Sequence, residues 1–446
     1  MSKLLGRARV VAGRASSLLF ASTLALLTGC SDQSTAVENG AQAAEPVIVR
    51  RAPMMRHRHG QVSEEELRAA AKAETKLPVY AIQMEPDQSM AMEASVHSDE
   101  RFPATFEHNG VVFENVKIRY RGAWARTWPK KPLKLFFNDA KQFREQRRLN
   151  LNSAWRDPSF IRETVAYRVY DAAGCPASKS RLARVHMNGM FRGLYVEVEQ
   201  PDKEFLQKRN LKGATIFKAS SRARQADERD LGAIELYRTH YEQETQKDEE
   251  GSYAELQSFC RELASSRDVL DFFNRRVDLE KYVNYLAASI FTQNWDGYNK
   301  NHFLVYNGKG SKKWFVVPWD LDRSLGDHWD WSFGNAELPI ELGTRNMPGI
   351  TGWNRLLDRF LSEPTLRARL ADRLEELLET EFTPGKMNPV IDQLAAECGP
   401  EAALDRRVWP SQDPDFAGAV EGVKQFIKDR REFLLRELPR FRRGGL

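Results

Sequence analysis

The pattern of hydrophobic and polar residues changes along the chain. From Leu77 to about residue 200, short runs of β-branched and aromatic residues predominate. Three Asn-Gly pairs stand between runs of this kind, at Asn109-Gly110, Asn188-Gly189 and Asn307-Gly308. Because Asn-Gly accepts the positive φ angles of a type I′ turn, each pair predicts a tight β-hairpin.

Helical periodicity predominates in the second half. Asp157-Pro158 predicts a helix N-cap followed by proline at the first helical position. A buried helix is predicted from about Leu279 to Thr292, and apolar residues from Val420 to Leu438 mark a long amphipathic helix. A β-rich part followed by an α-rich part predicts an α+β fold with two lobes.

The first 29 residues predict a signal peptide, because a basic start precedes an apolar run that is too short to span a membrane. Leu27-Thr28-Gly29-Cys30 resembles the bacterial lipobox, whose cysteine is lipidated and becomes the first residue of the mature chain. An ordinary cleaved signal is the alternative. Ser31 after the cysteine implies the outer membrane where the cell has one. We predict an exported lipoprotein of the cell envelope, held to the membrane by lipid on Cys30.

The rest of the chain divides into a tether and one domain. Residues 30–76 are rich in Ala, Glu, Gln and Arg and lack aromatic side chains, which predicts a flexible tether. Packing signals begin at Leu77 and continue without a convincing linker, so residues 77–446 are predicted to form a single domain.

Charge and cysteine spacing argue against several classes of protein. The net charge is +5, but four basic residues precede Cys30 in a stretch without acidic residues, so the mature chain has a net charge of +1. This balance gives no electrostatic case for nucleic-acid binding. Cys175, Cys260 and Cys398 have no paired spacing, so neither a zinc cluster nor a disulfide framework is supported.

Candidate chemistry is concentrated in residues 295–301 and 318–322. The loop before strand 302–306 should lie beside the loop after strand 313–317, and antiparallel pairing is predicted to place Asn301 opposite Pro318. Carboxylate and amide oxygens would then converge at one end of a hairpin, from Asp296, Asn301, Asp320 and Asp322. Oxygen ligands of this kind suit a hard cation such as Mg²⁺.

The spacing of Asp296 and Asn301 is that of the catalytic Asp and Asn in protein kinases, although no His-Arg precedes it. Each residue by itself also has a structural interpretation. Asp320 could cap a turn, Asp322 could pair with Arg323, Asn301 could fix the loop backbone, and Asp296 could form an Asx-turn. Taken together, the four residues favour metal-assisted phosphoryl chemistry.

The sequence resembles the CotH kinase family, atypical kinases related to spore coat protein H. The resemblance covers most of the chain after Leu77 and rests on segments that occur in the family's order: Tyr120-Arg121-Gly122, Pro129-Lys130-Lys131-Pro132-Leu133-Lys134, Leu151-Asn152, Asp157-Pro158-Ser159 with Arg162, Asn188-Gly189, Gly193-Leu194-Tyr195 with Glu199, Asp296, Lys300-Asn301, and Pro318-Trp319-Asp320-Leu321-Asp322 with Gly326.

The resemblance implies a divergent protein-kinase-like fold that binds ATP with Mg²⁺ or Mn²⁺ and phosphorylates Ser or Thr of a protein. It implies that Asp296 is the catalytic base and Asp320 a metal ligand, with Asn301 and Asp322 as further metal ligands. Arg121 and Lys134, and then Lys131, are the candidates for phosphate contacts. Glu163 is the candidate partner of such a lysine, and a surface glutamate at a helix start is the alternative.

The predicted function is therefore an ATP- and Mg²⁺-dependent protein kinase at the cell envelope, with an unidentified protein substrate and no nucleic-acid partner. Two alternatives remain open. One is a metal-dependent phosphohydrolase that uses the same carboxylates on water. The other is a non-catalytic adhesion or assembly module with the same fold.

Overall fold

The part of the chain that can be described begins at Val62. A computed structural model describes residues 62–138, 141–219, 226–247, 251–327, 336–342, 344, 354–411 and 415–444, all within one compact unit. The predicted signal peptide, Cys30 and the first part of the predicted tether lie outside these residues.

Eleven strands and twelve α-helices occur in the described residues. The strands are β1 (Val79–Gln83), β2 (Phe102–His108), β3 (Val111–Tyr120), β4 (Leu133–Phe136), β5 (Arg148–Asn152), β6 (Ser180–Met187), β7 (Met190–Glu199), β8 (Thr215–Ala219), β9 (Tyr241–Gln243), β10 (His302–Tyr306) and β11 (Trp314–Pro318). The helices are α1 (Glu64–Lys72), α2 (Pro86–Ala94), α3 (Arg162–Ala172), α4 (Lys203–Lys208), α5 (Ile234–His240), α6 (Ser252–Ser265), α7 (Val269–Arg276), α8 (Leu279–Thr292), α9 (Arg355–Ser362), α10 (Pro364–Thr380), α11 (Pro384–Val408) and α12 (Phe416–Arg442).

The first seven strands form a closed barrel in the order β1-β2-β3-β4-β5-β7-β6. Parallel pairing of β1 with β6 closes it, and the other neighbours are antiparallel. Buried aromatic side chains, including Tyr80, Phe106 and Phe143, pack in one core cluster with residues of these strands. Two of the predicted tight turns are confirmed here, because Asn109-Gly110 and Asn188-Gly189 both have positive φ angles between directly paired strands.

A second sheet, in the order β11-β10-β8-β9, shares the largest hydrophobic cluster with the helices. The predicted helix from Leu279 to Thr292 is confirmed as α8, which is buried along almost its whole length. The predicted C-terminal amphipathic helix is confirmed as α12. The α+β class is therefore confirmed, with the β-rich part first and the helical part last; division into two kinase-like lobes stays a prediction.

Two local predictions are wrong. Asn307-Gly308 is not a two-residue turn: β10 and β11 are joined by residues 307–313, and it is Lys312 that takes a positive φ of 55°. Asp157 is not an N-cap, since α3 begins only at Arg162. The Asp157 carboxylate instead accepts hydrogen bonds from the backbone N–H groups of Ser159 and Arg162, at 3.0 Å each, so it still serves the helix start from a distance in sequence.

Part of the predicted tether is ordered structure. Helix α1 begins with a capping box in which Ser63 and Glu66 exchange hydrogen bonds. Its buried Leu67 packs with Phe191 and Trp409, so the helix contacts both the barrel and the end of α11. The predicted boundary at Leu77 is therefore too late, because a nine-residue polar helix with a single buried leucine gives little periodic signal. No described helix combines the length and apolar character needed to cross a membrane.

Candidate active site

The β10–β11 hairpin brings the two acidic segments together. His302 pairs with Pro318, and the Trp319 N–H donates to the Asn301 carbonyl at 3.1 Å. Asn301 therefore lies opposite Trp319, and the predicted pairing with Pro318 is wrong by one residue because the connection 307–313 is one residue longer than that pairing implies. The convergence itself is present, with Asp296 in a short 3₁₀ turn (Trp295–Gly297) that follows the end of α8.

Both oxygens of the Asp296 carboxylate are engaged. The Asn301 side-chain amide donates to Oδ2 at 2.8 Å, and Lys300 Nζ lies 2.8 Å from Oδ1. Asn301 has a positive φ of 55°, which turns the chain sharply where it enters β10. Burial raises the pKa of Asp296, and the positive charge of Lys300 opposes that rise. The result is a fixed carboxylate with greater basicity than an ordinary aspartate.

A second acidic group consists of Asp320 and Asp322, in the loop after β11, and Glu163, at the start of α3. The carboxylate of Asp322 has a pKa well above the ordinary range, because burial and the charges of Asp320 and Glu163 all disfavour its ionised form. The pKa of Glu163 is raised to about 8, chiefly by burial, although the Asn152 amide donates to both of its oxygens at 2.8 and 2.9 Å. These carboxylates repel one another, and a cation would relieve that repulsion.

The donor chemistry of this group fits Mg²⁺, which prefers carboxylate and amide oxygens. Asp320, Asp322 and Asn301 supply that chemistry, and Asp320 has a positive φ of 60° within the loop. Among the described residues, no three His, Cys, Asp or Glu side chains are grouped closely enough to hold a metal ion as they stand. The fit therefore concerns the kind of ligand and the charge, and it specifies no coordination geometry.

Positive charge lies beside this acidic group. Arg121 is close enough to influence the pKa of Glu163, and its guanidinium lies 5.5 Å from the centre of the Trp319 ring. Lys134 faces away from the buried Leu133 and Leu135 of β4 and donates to the Gln200 side chain at 2.7 Å. Burial and the nearby Arg121 lower the Lys134 pKa well below its usual value.

Two residues predicted to help bind the nucleotide, Glu163 as the partner of a lysine and Lys131 as a phosphate contact, have other neighbours in the structure. Glu163 does not pair with Lys134, because its carboxylate is bound by Asn152 and lies near Asp320. Lys131 donates to the Trp128 carbonyl at 3.1 Å. The charges that shift its pKa are those of Glu93 and Arg192, which differ from the charged neighbours of Lys134.

Several residues at the site were missed by sequence reasoning. Lys300 was not predicted to have a role, yet its ammonium group forms an ion pair with the Asp296 carboxylate. Arg148 and Lys218 lie near Lys134 and lower its pKa further, while the carboxylate of Glu244 forms an ion pair with Arg148 at 2.9 Å. These residues come from β5, β8 and the end of β9, so no short motif could have grouped them.

A small cleft of about 10 Å³ adjoins the acidic group. Its lining combines tryptophan, arginine and carboxylate side chains, among them Trp128, Arg156, Glu163, Asp322 and Arg323. The Arg323 guanidinium also forms an ion pair with Asp327 at 3.0 Å.

This chain is similar to several known proteins. The family model described as CotH kinase protein matches residues 118–434. The inner spore coat protein H of Bacillus subtilis (strain 168) is 27% identical over 370 residues, which is 81% of this chain and 98% of that protein. A chain of the Shewanella oneidensis MR-1 complex of HipA, HipB and operator DNA is 16% identical with a TM-score of 0.28.

That last match covers 70% of this chain and spans only 60% of the length of the other, and a TM-score this low supports no structural argument. The family match is different in extent, because it covers well over half of the 446 residues and includes Arg121, Lys134, Asp296, Asn301 and Asp320. The chain therefore belongs to the CotH kinase protein family.

Proposed function

We propose that the protein is an atypical kinase that transfers the γ-phosphoryl group of ATP, with Mg²⁺, to a Ser or Thr hydroxyl of a protein. The observation that carries this proposal is the placement of Asp296, bound by Asn301, on the same hairpin end as Asp320 and Asp322. Family membership supports the reaction class. Arg121 lies close enough to Glu163 to influence its pKa, and Lys134 lies near Arg121, which supports a phosphate-containing substrate.

In this mechanism Asp296 accepts the proton of the attacking hydroxyl. Its hydrogen bond from Asn301 and its ion pair with Lys300 hold the carboxylate in one orientation. The raised pKa of Asp296 makes it a stronger proton acceptor than an ordinary aspartate. Until the proton is transferred, the positive charge of Lys300 favours the ionised form of Asp296, which is the form that can accept a proton.

Asp320, Asp322 and the Asn301 oxygen would hold Mg²⁺, which when bound neutralises the charge of the phosphates. Arg121 and Lys134 would contact phosphate oxygens from the barrel side. The chain supplies these contacts without a Gly-rich nucleotide loop, since Arg121-Gly122 leads instead into the short 3₁₀ helix Trp124–Thr127.

The proposed setting is the cell envelope, with the chain anchored by lipid on Cys30 and located in the outer membrane of a cell that has one. The lipobox-like sequence before Cys30 supports this location.

Purified protein incubated with γ-labelled ATP and a mixture of candidate acceptor proteins tests the reaction class. A kinase labels protein only when Mg²⁺ or Mn²⁺ is present, and Asp296→Ala and Asp320→Ala abolish the label. Asp171→Asn, which changes an exposed carboxylate of α3 paired with Lys179, is the matched control and should leave labelling intact.

The same assay distinguishes the alternatives. Release of free phosphate without labelled protein would mean a phosphohydrolase. Neither product, together with no binding of ATP in the presence of Mg²⁺, would mean a non-catalytic module.

A further inference from the structure

The loop that carries Asp296 and Asn301 is held by a buried histidine. His302 Nδ1 lies 2.9 Å from the Gly297 carbonyl oxygen and 3.1 Å from that of Lys300. Its other ring nitrogen, Nε2, lies 2.9 Å from the Glu228 carboxylate. Because carbonyl oxygens can only accept, Nδ1 carries a proton and donates to them, while Nε2 forms a hydrogen bond with the Glu228 carboxyl group.

The other carbonyls of the same loop are also bound from outside. The Asn354 side-chain amide donates to the Tyr298 carbonyl at 2.6 Å, and the Ala226 N–H donates to the Asn299 carbonyl at 2.8 Å. Together with His302 and with the bond from Trp319 to Asn301, these donors reach every carbonyl from Gly297 to Asn301. Five consecutive peptide groups are therefore fixed by donors from three other segments of the chain.

Glu228 connects two of these donors. One carboxylate oxygen accepts from His302, and the other accepts from the Asn354 amide. Glu228 is 1% exposed and His302 is 1% exposed, beside a small cavity lined by Tyr282, Leu286 and other apolar side chains. Burying such a pair is costly, and packed apolar residues would often stabilise a fold as well. Stability alone therefore gives no strong reason for these two residues.

We propose that Glu228 and His302 are positioning residues of the active site, which hold the Gly297–Asn301 backbone so that Asp296 and Asn301 keep their relative orientation. The effect on turnover rests on the proposed function. The effect on the loop does not, because it follows from the hydrogen bonds alone.

A double variant, Glu228→Leu with His302→Phe, tests the proposal. Replacing both members of a buried polar pair by apolar side chains of similar size is often neutral for stability, so this variant should fold. The loop loses its two hydrogen bonds from the His302 ring, and we expect amide hydrogen exchange in residues 297–301 to become roughly tenfold faster or more. We expect kcat to fall about 100-fold while KM for ATP changes little, as misplacement of a catalytic group predicts.

Two further variants separate positioning from general damage. Glu228→Gln can still accept from Asn354 and donate to a neutral His302, so it should keep most of the turnover. Glu401→Gln changes another buried glutamate, which belongs to α11 and pairs with Arg184 of β6 at 2.9 Å, and it should leave loop exchange unchanged.

Unchanged loop exchange in a folded double variant overturns the proposal, as does a wild-type kcat in that variant. Wild-type protein that transfers no phosphate, combined with faster loop exchange in the double variant, would reject the proposed function and support the positioning role. If the double variant does not fold, the single variant Asn354→Ser replaces it. The serine retains a helix-capping oxygen but cannot reach the Tyr298 carbonyl in the same way. Loop exchange and kcat are then measured for this variant, and the same results support or overturn the proposal.

Discussion

Asp296 differs from a surface aspartate because its charge is held by two named partners within its own loop. Lys300 and Asn301 occupy the two carboxylate oxygens from positions four and five residues later. The geometry explains the Asp-to-Asn spacing, since the sharp turn at Asn301 returns its side chain to Asp296. The base and its supporting amide thus form a single local unit.

Substituting Asp296 by Asn should reduce kcat by roughly 10²–10⁴-fold, because the amide cannot accept the hydroxyl proton. KM for ATP should remain near the wild-type value, since Arg121 and Lys134 are untouched. Steady-state kinetics with saturating acceptor measure both constants. A variant with unchanged kcat would exclude Asp296 as the base.

The pH dependence of kcat should show the raised pKa of Asp296. Because burial raises that pKa, the base becomes protonated as pH falls through a value above that of an ordinary aspartate, about 3.9. Activity should therefore be complete above the shifted pKa and lost below it. Substituting Lys300 by Met removes a charge that opposes the rise, so the acidic limb should move to higher pH; movement to lower pH would contradict the assignment.

The candidate site was predictable where it lies in one stretch of chain and unpredictable where it does not. Asp296, Asn301, Asp320 and Asp322 were found because a hairpin joins their segments. The pairing of Glu163 with Lys134 was a wrong expectation, because Asn152 on β5 binds Glu163 and Gln200 after β7 binds Lys134. Both partners are uncharged amides, which no charge pattern could reveal.

At the level of elements, helix α11 joins the helical part of the molecule to the barrel. Asp405 forms a buried ion pair with Lys130 and accepts from the Leu194 N–H at 2.7 Å. Gly193 is required beside them, since a Cβ there would lie 2.6 Å from the Asp405 carboxylate. The next residue, Arg406, donates to the carbonyls of Trp155 and Asp157. The contact between α11 and the barrel is therefore polar and fully buried at its centre.

Breaking this buried pair on one side should cost more than removing it. Lys130→Met alone leaves a buried carboxylate without its cation, and should lower the free energy of unfolding by about 3–5 kcal/mol. Lys130→Met with Asp405→Leu should recover much of that loss, because neither partner is left charged. Urea denaturation of the wild type, the single variant and the double variant measures the difference. A double variant less stable than the single one would contradict the prediction.

The pair also makes stability depend on pH. Burial lowers the pKa of Lys130 from 10.5 to about 8, so the folded chain releases this proton before the unfolded chain does. Between these two pH values the unfolded state binds more protons, and the Lys130 contribution to the free energy of unfolding rises as pH increases. Relative to the double variant, the wild type should gain stability from pH 8 to 10.5, as urea denaturation at several pH values would measure.

Local turn chemistry predicted the barrel hairpins better than the hairpin at the site. Asn109-Gly110 and Asn188-Gly189 each join strands that pair up to the turn, so local preference and tertiary structure agree. At Asn307-Gly308 the pairing of β10 with β11 stops earlier, at Tyr306 and Trp314. The register set by β10 between β8 and β11 outweighs the local preference of Asn-Gly for a tight turn.

Across the whole molecule, the three cysteines after Cys30 are free and buried. Burial raises the pKa of all three thiols, to about 12 for Cys398. A thiol reagent should therefore leave them unmodified in the native protein and react with all three after denaturation. Rapid labelling of the native protein carrying Cys30→Ser would contradict this expectation.

The proposed membrane anchor makes a separate prediction. Cys30→Ser removes the only cysteine that the lipobox-like sequence could lipidate. The variant should leave the membrane fraction for the soluble envelope fraction, or remain unprocessed in length, while the folded domain keeps its kinase activity. Immunoblotting of fractionated cells distinguishes these results from an unchanged membrane location, which would reject the lipoprotein assignment.

The connection from 307 to 313 lies at the end of the β10–β11 hairpin opposite the active site, and its residues 309–312 are exposed. Because the hairpin register is fixed by β8 on one side and by the Trp319–Asn301 bond at the other end, extra residues here would not shift the catalytic groups. This turn is therefore a suitable position for an affinity tag or a fluorophore. A probe placed there would report the location of the protein without disturbing the candidate active site.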